Sequence, residues 1–143
     1  LSLKKSRNPL STLFYKLSIA DEKEINIIAN EVNLIENLNV LAGQLSHGQK
    51  QWLEIGMLLA QKPDLLLIDE PAAGMTAPER KKTVELLKRL SQNQSVIVVE
   101  HDMEFVKSLE CRVTVLHDGG VIAEGSLDYV SQNDKVIDVY LGR

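Results

Sequence analysis

The sequence predicts an α/β fold built on a parallel sheet. Two apolar runs, Leu65-Leu66-Leu67-Ile68 and Val96-Ile97-Val98-Val99, have the length of single strands and lack polar alternation, as in strands buried on both faces. Between them, Val84, Leu87 and Leu90 recur on one helical stripe, behind Thr76 and Glu79 at the spacing of a capping box. Strand, helix and strand in that order is the pattern of an α/β sheet.

Residues 1–45 read as helical and polar. Asp21 is placed to cap a helix, with Glu24 at the third position after it, and Ile25, Ile28, Ala29 and Val32 come next at helical spacing. Asn30, Asn33, Asn37 and Asn39 break the stretch up to residue 45 into short helices, and Gly43 is placed to end one. Ser46 and Gln49 have capping-box spacing ahead of a helix with Trp52, Ile55 and Leu59 on one face. Pro63-Asp64 precedes the first strand, and Pro78 sits in the first turn of the helix after it, where its missing N–H does no harm. Cys111, with Val113 and Val115, reads as a small core residue of a strand. Residues 113–116 and 121–123 form two more strands, and Asp118-Gly119 between them is a hairpin signal. Helices are expected at 127–130 and 135–140.

The 143 residues fit one modest domain, with 44% hydrophobic and 25% charged residues. A net charge of -4 argues against nucleic acid as a partner, since a phosphate backbone needs a basic face. The clusters Lys4-Lys5-Arg7 and Arg80-Lys81-Lys82 have no interleaved aromatics and read as solvated surface. Cys111 is the single cysteine, so no intrachain disulfide forms and no oxidising compartment is required. No apolar run approaches the ~18 residues of a membrane span, and no signal-peptide core comes after Leu1. A cytoplasmic location is expected, beneath a membrane partner.

Three segments carry chemistry. The first is Ser46-His47-Gly48-Gln49, at the start of a helix. Free amides and partial positive charge make a helix N-terminus a good phosphate site, and Gly48 lets the backbone approach a ligand. A well-capped helix without any ligand explains the same residues. Gly43 and Gly48 have the GxxxxG spacing of a phosphate-binding loop, but Gln49-Lys50-Gln51 occupies the positions where Lys and then Ser or Thr must stand. No other pair of glycines does better.

The second segment is Leu65-Leu66-Leu67-Ile68-Asp69-Glu70-Pro71, an apolar strand that delivers two carboxylates at its C-terminal end, where ligands bind in open α/β sheets. Adjacent strand residues point to opposite faces, so the two acids serve different jobs. Asp69 suits a magnesium ion held through water, and Glu70 suits a general base acting on an attacking water. The third segment, Val96-Ile97-Val98-Val99-Glu100-His101-Asp102, brings a histidine to a second strand end. His101 stands beside Glu70 if the strands are neighbours, and an imidazole there can hydrogen-bond a γ-phosphate and the attacking water. Asp102 has a simpler role as a helix cap. His47 and His117 fit no metal spacing.

Ser46-His47-Gly48-Gln49, Asp69-Glu70-Pro71 and His101, in that order, resemble the signature motif, Walker B motif and switch histidine of ATP-binding-cassette (ABC) ATPases. The resemblance covers essentially the whole chain. It implies a helical subdomain at residues 1–45, and the signature helix with the C-terminal half of a P-loop NTPase-type core at 46–143, on an incomplete parallel sheet. Ala72-Ala73-Gly74-Met75-Thr76 and the closing Val139-Tyr140-Leu141-Gly142 are similar to branched-chain amino-acid-type importers, and residues 45–56 with 99–105 most resemble the urea-importer subunit.

The resemblance further implies a head-to-tail pair of ATPase subunits, identical or different, around two ATPs. Ser46, His47, Gly48 and Gln49 would meet the γ-phosphate of the partner's ATP. Asp69 (through Mg2+ and water), Glu70 and His101 would act on ATP held by their own subunit. Transmembrane permease subunits would dock on the helical subdomain, with a solute-binding protein as an indirect partner. The assembly would sit on the inner face of the cell membrane and couple ATP hydrolysis to uptake of urea or a branched-chain amino acid. A non-catalytic interaction or regulatory module is the alternative.

Two residues depart from the family pattern. His47 replaces the usual Gly of the signature, a change its urea and amino-acid branches tolerate, and sets a bulky side chain toward the interface. Thr76 replaces an Asp common after Walker B. In this family the phosphate-binding loop lies upstream of the position of Leu1, so the expectation is a fragment or truncated product with exposed apolar edges that self-associates.

The 143-residue chain alone should therefore not bind Mg-ATP at micromolar affinity. One helix N-terminus contributes about 0.3–2 kcal/mol toward an anion. Even millimolar affinity requires about 4 kcal/mol. Calorimetric titration measures it, and a micromolar dissociation constant would reveal an unrecognised phosphate cradle.

Overall fold

The computed structural model describes residues 18–141. Lys4, Lys5, Arg7, Gly142 and the 1–17 part of the expected helical subdomain lie outside the described residues. The chain forms two compact units, Leu1–Val99 and Glu100–Arg143. Among the described residues no helix is long and apolar enough to cross a membrane.

The first unit begins with helix α1, Ile19–Glu31. Its cap is Ser18, one turn earlier than the expected Asp21. Ser18 Oγ accepts from Asp21 N–H at 3.2 Å, and Asp21 Oδ2 accepts from Ser18 N–H at 2.9 Å and from the Ser18 hydroxyl at 2.7 Å. Serine and aspartate satisfy each other's orphan donors, so the reciprocal pair sets the start. The helix ends at Val32, and Asn33 comes next at φ 59°, a left-handed conformation that asparagine tolerates. Two 3₁₀ turns continue the chain, Ile35–Asn37 and Ala42–Gln44. Gly43 lies inside the second turn and does not end a helix.

Helix α2, His47–Leu59, starts at Ser46 with both halves of its capping box formed. At Gly56 the end of α1 is near: a Cβ there would lie 3.3 Å from Val32 Cγ2 and 3.4 Å from Ile28 Cγ2. Strand β1, Leu65–Asp69, pairs in parallel with β2, Ser95–Val99, with Leu65 opposite Ser95 and Asp69 opposite Val99. Helix α3, Ala77–Leu90, connects them and packs beside β2. Its buried residues are Thr83, Leu86, Leu87 and Leu90, while Val84, expected on the stripe, is half-buried. The α2–α3 contact explains the rotation: Trp52 Nε1–H donates to the Thr83 hydroxyl at 2.9 Å, which donates in turn to Glu79 O at 2.9 Å.

The two-stranded sheet departs from the expected burial. Leu66 and Ile68 are buried, but Leu65, Leu67, Ile97 and Val99 are 45–65% exposed. The register places these four on one face, which no described element covers. Exposed apolar edges are expected from the sequence; the apolar exposure observed lies on a sheet face.

In the second unit, helix α4, Met103–Leu109, ends with Glu110 at φ 54°. Strands β3, Val113–His117, and β4, Gly120–Gly125, pair antiparallel. Asp118 and Gly119 join them with φ of 47° and 75°, the double left-handed backbone of a tight hairpin. Cys111 precedes β3 and is exposed, contrary to its expected core role, because the strand starts at Val113. Helices α5, Leu127–Val130, and α6, Asp134–Val136, come after the hairpin, and the chain widens into a π turn over Ile137–Leu141. Ala123, Val130 and Val136 form the core, with Val113, Val115, Ile122 and Leu127 against them.

Thr83→Val should destabilise the chain by about 1–3 kcal/mol, since the buried Trp52 Nε1–H loses its acceptor while the shape is kept. Trp52 is the sole tryptophan, so its fluorescence during urea denaturation reports the change. An unchanged midpoint would show that the bond carries no stability.

Candidate functional site

The start of α2 is built by short-range hydrogen bonds. Ser46 Oγ accepts from Gln49 N–H at 3.1 Å, Gln49 Oε1 accepts from Ser46 N–H at 2.9 Å, and Lys50 N–H reaches Ser46 O at 3.0 Å. The N–H groups of His47 and Gly48 have no acceptor among the described residues. Two donors thus remain at the positive end of the α2 dipole, the arrangement that favours an anion.

A third carboxylate, absent from the expected set, joins this end. The Ser46 hydroxyl donates to Glu79 Oε1 at 2.8 Å, while Glu79 Oε2 accepts from Thr76 N–H at 2.9 Å and the Thr76 hydroxyl at 2.7 Å. The spacing of Thr76 and Glu79 announces the cap of α3, but nothing in the sequence signals the bond to Ser46. Gly48 is buried, and a Cβ on it would lie 2.7 Å from Glu79 Cδ and Oε1. Its lack of a side chain therefore serves a close approach within the chain. His47 is exposed, with its ring against Gly74: a Cβ on Gly74 would be 3.1 Å from His47 Cδ2.

Asp69 closes β1 opposite Val99, on the face of Leu65 and Leu67. Glu70 leaves the strand at φ 46°, and its N–H donates to Val99 O at 2.9 Å. Left-handed backbone costs a residue with a side chain roughly 1–2 kcal/mol. The alternation of faces along the strand ends at Asp69, because the backbone turns at Glu70. Pro71 behind them is fully buried and anchors the turn. Both carboxylates are exposed. No group of three or more His, Cys, Asp or Glu among the described residues could hold a metal directly. A lone exposed Asp69 fits magnesium, which keeps most of its waters and takes one or two carboxylates.

His101 belongs to the second unit. Its side chain is 75% exposed, with Nδ1 3.9 Å from Glu100 Oε2. Glu100, whose side chain is 2% exposed, accepts from the backbone N–H of His101 at 3.1 Å and of Asp102 at 3.4 Å. Asp102 caps α4 as expected, accepting from Glu104 and Phe105 N–H, each at 3.0 Å. Ser46, Gly48 and Gln49 are thus brought together with Glu79 and Thr76, His47 with Gly74, and Asp69 with Glu70.

A family model described as ABC transporter matches residues 2–73. The branched-chain amino acid transport ATP-binding protein BraF of Pseudomonas aeruginosa is 38% identical over 114 residues, 78% of this chain and 45% of BraF. The methionine import ATP-binding protein MetN of Lactobacillus acidophilus is 36% identical over 116 residues, 80% of this chain and 33% of MetN. A crystallised ATP-binding cassette of an ABC transporter, in its ADP conformation, superposes with a TM-score of 0.78 at 27% identity, covering 96% of this chain and 57% of that one. The chain thus spans less than half the length of BraF and of MetN.

The Glu79 carboxyl is held below its ordinary 4.5 by the Thr76 hydroxyl and N–H and then the Ser46 hydroxyl, with burial opposing and nearby His47 assisting. A depressed carboxylate stabilises the fold fully above its unfolded value, and the contribution is lost as pH falls through the folded value. The network should stay closed above pH 4.5 and open in more acid solution. The NMR shift of the Thr76 amide should track that step, and Glu79→Gln should abolish it; a step that persists in the variant belongs to another group.

Proposed function

Because the chain belongs to the ABC transporter family, we propose that it supplies the signature helix and strand-end acids of an ATP-binding importer subunit. The observation that carries the reading is Glu70, a carboxylate held at φ 46° directly after Asp69 at the exit of β1. Strained backbone of this kind gathers at working sites, where it aims a side chain.

In this reading Glu70 takes a proton from water as the water oxygen bonds to the γ-phosphorus of ATP. The bond from that phosphorus to the bridging oxygen breaks, and its electron pair leaves with ADP. His101 orients the water and the γ-phosphate by hydrogen bonds. Asp69 would hold magnesium through water, which would offset phosphate charge. The start of α2, with Ser46, Gly48, Gln49 and the neighbouring His47, serves ATP bound to a second ATPase subunit, identical or different, through the free amides and helix dipole. Residues 1–45 form part of a helical subdomain that meets the permease, and residues 46–143 supply the signature helix and the C-terminal half of the ATPase core. The subunit lies peripherally on the inner face of the membrane, and a solute-binding protein delivers the cargo.

The cargo is a small polar solute. BraF and MetN are named for branched-chain amino acids and methionine. The likeness of residues 45–56 and 99–105 to the urea-importer subunit favours urea.

In a subunit that carries this chain, Glu70→Gln should retain ATP binding and lower hydrolysis by about 10²–10⁴-fold. It should also accumulate as an ATP-loaded dimer, seen by size-exclusion chromatography. Near-normal turnover would remove Glu70 from the mechanism.

A further inference from the structure

One carboxylate serves two helix starts. Glu79 Oε2 closes the cap of α3 with Thr76, and Oε1 reaches across to the Ser46 hydroxyl, 33 positions earlier, at 2.8 Å. A capping box requires only the first of these. Gly48 makes the second possible, since a Cβ there would sit 2.7 Å from the carboxylate. Thr76 in turn ends the loop that begins at Glu70. That loop is tightened by Ala73 N–H to Glu70 O at 3.1 Å and Met75 N–H to Ala72 O at 3.3 Å. The His47 ring on Gly74, which has φ 63°, gives a second contact between the same two segments.

We propose that Glu79 is a positioning residue that locks the phosphate-facing end of α2 to the loop behind Asp69 and Glu70, so that the two move as one body. This rests on the reading of Ser46 to Gln49 as facing a nucleotide. Hydrogen bonds to an ionised carboxylate are shorter and stronger than neutral ones, which suits a lock made of few contacts. The Ser46–Glu79 pair is exposed, so its value is geometric. A displacement of about 1 Å at a reacting group costs about 10²-fold in rate. The lock also gives Gly48 a reason independent of any ligand: a side chain there would push the carboxylate off Ser46.

Two measurements test the lock. In the 143-residue chain, Glu79→Ala and Gly48→Ala should each speed hydrogen exchange at the Gln49 amide roughly tenfold, the scale of a lost cap. In the double variant Gly48→Ala should add nothing, because its Cβ no longer strikes a carboxylate. Glu79→Gln, which can still accept from Thr76 and meet Ser46, should retain the protection. Additive effects, or unchanged Gln49 exchange in Glu79→Ala, would overturn the lock. In a subunit that carries the chain, Glu79→Ala should lower kcat for ATP hydrolysis while KM stays close to wild type. Ser46→Arg should block hydrolysis outright. Full hydrolysis by Ser46→Arg would sink the nucleotide-facing reading alone, whereas a block there together with an unchanged kcat in Glu79→Ala would sink the lock alone.

Discussion

The hydrogen bond from Glu70 N–H to Val99 O, at 2.9 Å, fixes where the first strand stops and where its acids point. It closes the Asp69–Val99 pair, the last of the β1–β2 ladder, so the chain cannot turn until Glu70 has bonded. The turn must then be abrupt, and the backbone takes it at φ 46° with Pro71 buried behind. Parallel pairing thus sets Asp69 at the last position of the sheet and leaves Glu70 to depart from it. The roughly 1–2 kcal/mol of left-handed strain is carried by the ladder and by the packing of Pro71.

The second constraint is the docking of α2 on α3. Trp52 and Thr83 hold the middle of the contact through a buried hydrogen bond, and Glu79 with Gly48 holds its N-terminal end. Gly56 lies on the other side, where a Cβ would meet Val32 and Ile28 at a tight 3.3–3.4 Å. Both glycines act through the absence of a Cβ, and neither needs a positive φ. With α2 held at its middle and at its N-terminal end, the His47 and Gly48 amides keep one direction.

The open face of the β1–β2 sheet is the clearest departure from a buried parallel sheet. Leu65, Leu67, Ile97 and Val99 form a contiguous apolar surface, while Leu66 and Ile68 on the other side are buried. The unbroken apolar runs belong to strands meant to be covered on both faces.

Sequence alone determined the elements whose signals are local. The Ser46–Gln49 and Thr76–Glu79 caps, the two apolar strands and the Asp118-Gly119 hairpin all formed where spacing and residue type put them. Backbone satisfaction within three or four residues decides the caps and the hairpin, and an unbroken apolar run marks each strand, so neighbours in sequence suffice to locate them. The order of Ser46-His47-Gly48-Gln49, Asp69-Glu70-Pro71 and His101 was equally legible as a family pattern. Tertiary structure alone decided the rest. Ser18 displaced Asp21 as the cap because two residues could satisfy each other. Thr83 replaced Val84 on the buried face because Trp52 on another helix needed an acceptor. Glu79 joined the site because a residue 33 positions away offered a hydroxyl and Gly48 left the space. These depend on which surfaces meet, and no periodicity along a single strand or helix carries that information.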